Sequence, residues 1–166
     1  MYGRKHTVKG FTLVEILIVV VILGILAAIV VPQFTNASQS ARSSSTTSLL
    51  QSVRSQLELF QVQHNGTYPT LDAAGTWVIM TNKSASTDVG PGAGSTTGAY
   101  GPYLQQAPQN PWVKASVNTA INTGWNGTTL PTTGAAAETV GWYYNAATGK
   151  IAAAAFTEST GQPILP

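Results

Sequence analysis

An apolar run near the N-terminus limits most strongly what this chain can fold into. Between Phe11 and Val31 the only charged side chain is Glu15, and the only hydroxyl group belongs to Thr12. About 20 apolar residues at ~1.5 Å each match the ~30 Å hydrocarbon core of a bilayer. A helix buried in a soluble domain would normally keep a polar face. The run therefore predicts one transmembrane helix over residues 11–31.

Basic residues flank mainly the N-terminal side of this run. Arg4, Lys5 and Lys9 precede it, whereas Arg42 is the single Lys or Arg between the run and residue 50. Because positively charged flanks stay in the cytoplasm, we predict a cytoplasmic N-terminus and an exported C-terminal part. A secretory signal peptide is the competing interpretation. Its apolar core would span only ~7–15 residues, however, and Glu15 would lie inside it.

The junction between the basic flank and the run has the sequence Lys9-Gly10-Phe11-Thr12-Leu13-Val14-Glu15. It resembles the prepilin processing site of type IV pilins and type II secretion pseudopilins, in which a prepilin peptidase cuts after the Gly and N-methylates the new terminal Phe. The resemblance implies cleavage between Gly10 and Phe11, N-methylation of Phe11 and a leader formed by residues 1–10. Pro32 at the end of the run also matches the family pattern.

Glu15 is the only ionisable side chain inside the run. A charged group in a bilayer costs about 2.5–3.5 kcal/mol on insertion scales, so it usually has a partner. The resemblance implies that Glu15 of one subunit pairs with the Phe11 amine of a neighbour in a helical filament, where opposite charges are tolerated together better than alone. The alternative is a Glu15 that is simply protonated in the bilayer.

A second apolar pattern predicts that the helix continues well beyond the membrane, from about Thr12 to about Gln63. Apolar residues recur there at helical spacing, and this helix stripe consists of Leu50, Val53, Leu57 and Phe60, widened by Leu49 and Val62. Pro32 lacks an N–H, so we expect a kink or local loosening there rather than the end of the helix. Arg54 and Glu58 are spaced to pair across one turn, and Asn65-Gly66 supplies the left-handed backbone that closes a helix.

The C-terminal part predicts a small sheet. Aromatic and β-branched segments at 139–144 and 150–152 flank the loop Asn145–Gly149, which is typical of a β-hairpin. We expect the second strand to extend to Phe156, the tail over 161–166 to be irregular, and three or four antiparallel strands to cover the helix stripe. The predicted fold class is α+β, a long N-terminal helix packed against a small antiparallel sheet, as in type IV pilin-like proteins. The expected segments are a leader (1–10), a transmembrane helix (11–31), an exported amphipathic helical part (32–63) and a globular domain (64–166).

Two further segments resemble major pseudopilins in particular. Residues 65–70 form an Asn-Gly-x-Tyr-Pro-Thr phrase, and residues 101–112 combine Gly-Pro-Tyr-Leu with Pro-x-x-Pro-Trp. This resemblance favours a secretion pseudopilin over a pilus subunit. Physically, we expect the 101–112 segment to be a turn whose aromatics pack on the core.

The residues offer little that would support catalysis or a metal site. The chain has no Cys, and beyond the leader it has one His, His64, which we expect to be a solvated helix cap. Its acidic residues are scattered, without paired carboxylates or a zinc pattern, so we predict no enzyme. Many major pseudopilins bind calcium through Asp side chains, but no Asp follows Trp112 here. We therefore predict no cofactor or metal, or at most a calcium site rebuilt from backbone and Asn oxygens.

The net charge does not point to nucleic acid. The formal charge is +2, but three of the eight Lys and Arg residues lie in the leader. Without the leader, five basic residues remain against six acidic ones.

The resemblance implies a homopolymer that is anchored in the inner membrane and has its C-terminal domain in the periplasm. Its implied partners are prepilin peptidase, other pseudopilins and an inner-membrane assembly platform. One alternative is a type IV pilin for adhesion, motility or DNA uptake. Another is a membrane-tethered glycan-binding domain whose aromatic platform would be Trp112, Trp125, Trp142 and Tyr143.

Overall fold

The structure is a computed structural model, and it describes residues 10–71, 77–90, 97–130, 139–160 and 162–163. The chain divides into two compact units, Met1–Ser40 and Ala41–Pro166. Helix α1, Leu13–Gln63, contributes residues to both units. The other elements all belong to the second unit: α2 (Val78–Thr81), β1 (Ile121–Asn122), β2 (Trp142–Asn145), β3 (Lys150–Ala153), β4 (Phe156–Thr157) and β5 (Gln162–Pro163).

The predicted bounds of α1 are confirmed to within one residue. Pro32 lies inside the helix and does not end it. The chain leaves the helix through Asn65 and Gly66, whose φ angles are 55° and 80°, and the Gly66 N–H donates to the Gln61 carbonyl at 2.9 Å. The left-handed closure predicted from Asn65-Gly66 is therefore present.

The helix stripe forms the centre of the core of the second unit. Leu50, Val53, Leu57 and Phe60 are all buried, as predicted. Leu49 packs against this core only in part, and Val62 is 80 % exposed, so the expectation that Val62 widens the stripe was wrong. The opposing side chains come from α2, the turns and the strands of the second unit, and the largest of them are Trp77, Trp142, Tyr144 and Phe156.

Leu57→Ala is expected to destabilise the second unit strongly, because truncating a buried Leu leaves a cavity and costs about 2–5 kcal/mol. Leu59→Ala, two residues further along the same helix, is the matched control, since Leu59 is exposed. It should change the free energy of unfolding by no more than about 0.5 kcal/mol. Urea unfolding of the full chain in detergent micelles measures both, and equal losses for the two variants would contradict the assignment of the core.

The three-stranded sheet is mixed, which corrects the prediction of an antiparallel sheet. Its strand order is β1-β2-β3; β2 and β3 pair antiparallel, whereas β1 pairs with β2 in parallel. Parallel neighbours require a crossover of a dozen or more residues, and residues 123–141 provide that connection. The sequence pattern did not reveal β1, because a two-residue strand has no measurable periodicity.

The predicted hairpin is confirmed, with Trp142 opposite Ala153 and Asn145 opposite Lys150. Its loop ends at Gly149, whose φ is 67°. The ring of Tyr68 lies where a β-carbon at position 149 would be. Only glycine combines that backbone conformation with such a close approach.

The second strand of the hairpin is shorter than predicted. β3 ends at Ala153, and Ala155 has a φ of 57°, which breaks the extended backbone before Phe156. Phe156–Thr157 instead forms β4, which pairs antiparallel with Gln162–Pro163. The tail that we expected to be irregular therefore contains strand β5.

Two polar side chains, one within α1 and one directly after it, have surroundings different from those predicted. Arg54 pairs with Glu158 rather than Glu58, at 2.8 Å, and donates a second hydrogen bond to the Ile151 carbonyl at 2.8 Å. His64 is buried rather than solvated, at 1 % exposure. Its Nδ1 donates to the Phe60 carbonyl, its Nε2 lies 2.9 Å from Ser84 Oγ, and its ring stacks on that of Phe60.

The 101–112 segment packs on the core as expected. Tyr103 is buried, and the Trp142 indole N–H donates to the Pro108 carbonyl at 2.9 Å. Asn110 is also buried; its Nδ2 donates to the carbonyls of Gly141 (2.7 Å) and Ala154 (2.9 Å). One amide side chain thus connects this segment to both strands of the β2–β3 hairpin at its open end, opposite the loop.

Alkaline pH is expected to destabilise the second unit through its buried phenols. Burial raises the pKa of Tyr144, whose hydroxyl donates to the Pro69 carbonyl at 2.8 Å, and burial also raises the pKa of Tyr103 and Tyr143. The unfolded chain loses these protons first, from about pH 10. The free energy of unfolding should therefore be steady below that pH and fall above it, by up to ~1.4 kcal/mol per pH unit for each tyrosine. Urea unfolding between pH 8 and 11 measures this slope, which should be shallower in Tyr144→Phe; an unchanged slope would contradict it.

Candidate processing and assembly segment

The Gly10–Phe11 peptide bond lies immediately before α1. Both residues are exposed, and the helix begins only at Leu13. A β-carbon at position 10 would have no heavy atom within 4 Å, so the backbone there is open to approach. A peptide bond outside the helix is accessible to a protease without unwinding α1, and cleavage between Gly10 and Phe11 stays a prediction.

Thr12 caps the helix, a role that the sequence analysis missed. Its Oγ1 accepts a hydrogen bond from the Glu15 N–H at 3.2 Å, and its carbonyl accepts one from the Ile16 N–H at 3.3 Å. Thr12 is therefore the N-cap residue, and Glu15 is the third residue of the helix. The pattern Thr-x-x-Glu is that of a capping box, so the signal was present in the sequence.

The first unit presents its apolar side chains outward. Exposure within the run ranges from 43 % for Val30 to 82 % for Leu13, and α1 is long and apolar enough to cross a membrane. Glu15 lies on the first turn of this surface, and the described residues offer it no ion-pair partner. Its pairing with Phe11 would join two subunits, so that role stays a prediction, as does N-methylation of Phe11.

The other predicted sites involve the second unit. The described residues contain no group of three His, Asp or Glu side chains placed to hold a metal. The expectation that no calcium binds stays a prediction.

The four aromatics of the glycan-platform alternative do not share one surface. Trp142 and Tyr143 are buried, and Trp112 stacks on Phe156 with a 5.8 Å centroid distance. Only Trp125 and Tyr143 contact each other, with centroids 6.4 Å apart.

A long apolar helix that begins directly after a prepilin-type cleavage sequence, followed by a small α+β domain, defines a type IV pilin-like chain. Residues 5–31 match the family model for the prokaryotic N-terminal methylation motif. No solved structure matches the chain.

Curated proteins extend the comparison beyond the N-terminus. The chain is 34 % identical over 112 residues to the type II secretion system core protein G of Klebsiella michiganensis, covering 66 % of this chain and 71 % of that protein. It is 33 % identical over 115 residues to the same protein of Aeromonas hydrophila, with the same coverage. The type IV narrow pilus major component PilA5 of Thermus thermophilus is 44 % identical over 64 residues, which is 39 % of this chain and 54 % of that protein. The chain belongs to the type II secretion system core protein G family, the major pseudopilins.

Proposed function

We propose that the chain is a structural subunit of a type II secretion pseudopilus, whose polymerisation drives protein export across the outer membrane. The carrying observation is the exposed apolar surface of residues 11–31, which begins directly after an accessible prepilin-type cleavage sequence. In this proposal a prepilin peptidase removes residues 1–10, and Phe11 becomes the N-methylated terminus.

The exposed apolar surface has two suitable surroundings. In the precursor it lies in the inner membrane, where lipid covers it. In the polymer, other copies of the same surface replace the lipid, because apolar side chains left in water cost about 1.5–3 kcal/mol each. A subunit with this surface is therefore stable in either setting and unstable alone in the periplasm.

In this proposal, Glu15 and the Phe11 amine set the register in which neighbouring subunits pack in the polymer. After cleavage, the new ammonium lies next to the N-terminus of α1, where the helix dipole is unfavourable to positive charge. Thr12 already satisfies one N–H of the first turn, and Glu15 supplies the negative charge. A neighbour's carboxylate then pairs with the ammonium, and any register that leaves one of the two charges unpaired in an apolar bundle is disfavoured.

The chain spans the inner membrane once in this scheme, with the N-terminus cytoplasmic and the second unit periplasmic. The basic residues before the run support that orientation. Its partners are further copies of itself, prepilin peptidase, other pseudopilins and an inner-membrane assembly platform. We assign it no catalytic role, no calcium and no nucleic acid.

A type IV pilin is the alternative function. The similarity to PilA5 covers 39 % of this chain, whereas the similarity to core protein G covers 66 %. The N-terminal segment alone therefore does not separate the two functions, and the longer similarity favours secretion.

The processing step is tested by intact-mass measurement of the protein purified from membranes. We expect the mature chain to begin at Phe11 and to have one additional methyl group on its N-terminal amine. A mature chain that begins elsewhere would contradict the assignment of Gly10 and Phe11.

A further inference from the structure

The polar segment of α1, residues 33–45, is not covered by the core of the second unit. Ser43 is half-buried, and every other residue of the segment is exposed. The first buried residue of α1 is Thr46, and the helix stripe follows it. Packing of an apolar face supplies most of the stability of a helix in a protein. The polar segment therefore lacks the main source of helix stability.

The bilayer does not support the polar segment either. The apolar run over residues 11–31 already fills the ~30 Å hydrocarbon core, so in the proposed orientation the polar segment lies in water on the exported side. A backbone inside hydrocarbon must satisfy its own hydrogen bonds, which keeps a helix closed there. Water removes this constraint, because it can bond to any N–H or C=O group that the helix releases. Neither lipid nor core thus stabilises this part of α1.

The amino-acid composition of the polar segment also disfavours a helix. Seven of its 13 residues are Ser, Thr or Asn, against two of the 13 residues over 51–63. The short polar side chains of these residues compete with the hydrogen bonds of the helix. Ala, the best helix former, occurs in the segment only as Ala37 and Ala41. Local helix propensity therefore does not replace the missing packing.

Both ends of the polar segment are clearly defined. Pro32 precedes it within α1 and has no N–H, so one helical hydrogen bond is missing there. Thr35 Oγ1 donates to the Val31 carbonyl at 3.3 Å, and such bonds from a hydroxyl to the preceding turn weaken and bend helices. At the other end, Thr46 is fully buried, and its Oγ1 accepts from the Trp112 indole N–H at 2.9 Å. Attachment to the second unit thus begins directly after the segment.

We propose that the polar segment is a hinge, which opens and bends while the apolar run and the part of α1 that carries the helix stripe stay helical. Proline and low local stability are recognised causes of bending and local opening. A subunit that moves from the bilayer to the polymer exchanges lipid for other subunits around its apolar run. The hinge lets the run change direction during this exchange without breaking the packing of the second unit. This role in assembly rests on the proposed function, whereas the local opening does not.

Amide hydrogen exchange of the full chain in detergent micelles tests the opening. We expect the amides of residues 36–45 to exchange at least about 100-fold faster than those of residues 50–60, because local opening requires far less free energy than unfolding of the second unit. A triple variant, Ser40→Ala, Ser44→Ala and Ser45→Ala, should slow exchange in the polar segment by about tenfold, since Ala favours the helix. Equal protection of the two regions, or no slowing in the triple variant, would overturn the hinge.

A double variant, Ser52→Ala and Ser55→Ala, is the matched control. Both serines are exposed and lie in the part of α1 that carries the helix stripe. The same chemical change outside the polar segment should leave exchange within the segment unchanged. If the double variant slowed that exchange as much as the triple variant does, the opening would not be local, and the proposal would be wrong.

Polymer formation tests the role of the hinge in assembly. The triple variant should reduce the amount of polymer per processed subunit by up to about tenfold, the factor by which the open population falls. The double variant should assemble like the wild type. A triple variant that exchanges slowly but polymerises at the wild-type rate would overturn the role in assembly. Absence of polymer from the wild-type chain would instead contradict the proposed function, and hydrogen exchange would still decide whether the segment opens.

Discussion

Replacing Glu15 with alanine will leave membrane insertion and processing intact but strongly reduce polymer formation. If Glu15 pairs as proposed, the substitution leaves the Phe11 ammonium of each neighbour without its carboxylate in an apolar bundle. Removing one partner of a buried ion pair costs about 3–5 kcal/mol, and the loss recurs at every subunit contact. The measurement is the amount of sheared or cross-linked polymer per cell, normalised to the processed subunit in the membrane.

Thr12→Ala distinguishes this intersubunit role from a local one. Glu15 also lies on the first turn of α1, where its N–H donates to Thr12 Oγ1. If Glu15 mattered only for that turn, removing the cap, which costs about 1 kcal/mol, would reduce assembly as much as Glu15→Ala does. We expect Thr12→Ala to assemble nearly normally. A Glu15→Ala subunit that polymerises at the wild-type rate would contradict the pairing.

Replacing Gly10 with valine will block maturation and, with it, assembly. Gly10 is exposed and has no side chain, so the backbone at this residue, next to the predicted scissile bond, is open to approach. A β-branched side chain would stand where the peptidase approaches that bond. We expect the precursor to accumulate in the membrane with residues 1–10 attached, unmethylated at Phe11, and polymer to fall below detection.

Gly24→Val provides the matched control for the Gly10 variant. Gly24 lies inside α1, and a β-carbon there also has no heavy atom within 4 Å. Its substitution should leave the mass of the processed chain shifted only by the residue change. Efficient removal of the leader from the Gly10→Val protein would contradict the assigned cleavage site.

Features with a strong local signal were predictable from the sequence. The apolar run predicts the first part of α1 through its length, and the 3.6-residue spacing of the helix stripe predicts the last part, so that together they indicate one helix, which is 51 residues long. Asn65-Gly66 predicts its end, since few residues adopt a left-handed backbone. The β2–β3 hairpin follows from two β-prone segments around a short loop that ends in glycine.

Features that depend on distant contacts were not predictable. Arg54 has an acidic neighbour one turn away, yet it pairs with Glu158, which is 104 residues further along the chain. His64 at the end of a helix would normally be solvated, but Ser84 and Phe60 bury and satisfy it. Spacing along the chain could not reveal these partners, because tertiary packing selects them.

The functional residues also differ in how far the sequence could reveal them. The cleavage and assembly segment is contiguous, so its residues were visible in the sequence. The contact between Trp125 and Tyr143 joins β2 to the loop that follows β1, and only the three-dimensional structure brings these together. The four aromatics of the glycan-platform alternative do not lie together: Trp142 is a core residue, Trp112 packs on Phe156, and only Trp125 and Tyr143 contact each other.

The most direct test of the central claim uses a strain that lacks this chain. The proteins in its culture medium are identified, and its surface fibres are counted in the same cultures, with a strain that expresses the chain from a plasmid as the control. The account predicts that exported proteins disappear from the medium, that surface fibres persist, and that the plasmid restores secretion. Loss of the fibres with secretion unchanged would contradict the account and identify the chain as a pilin.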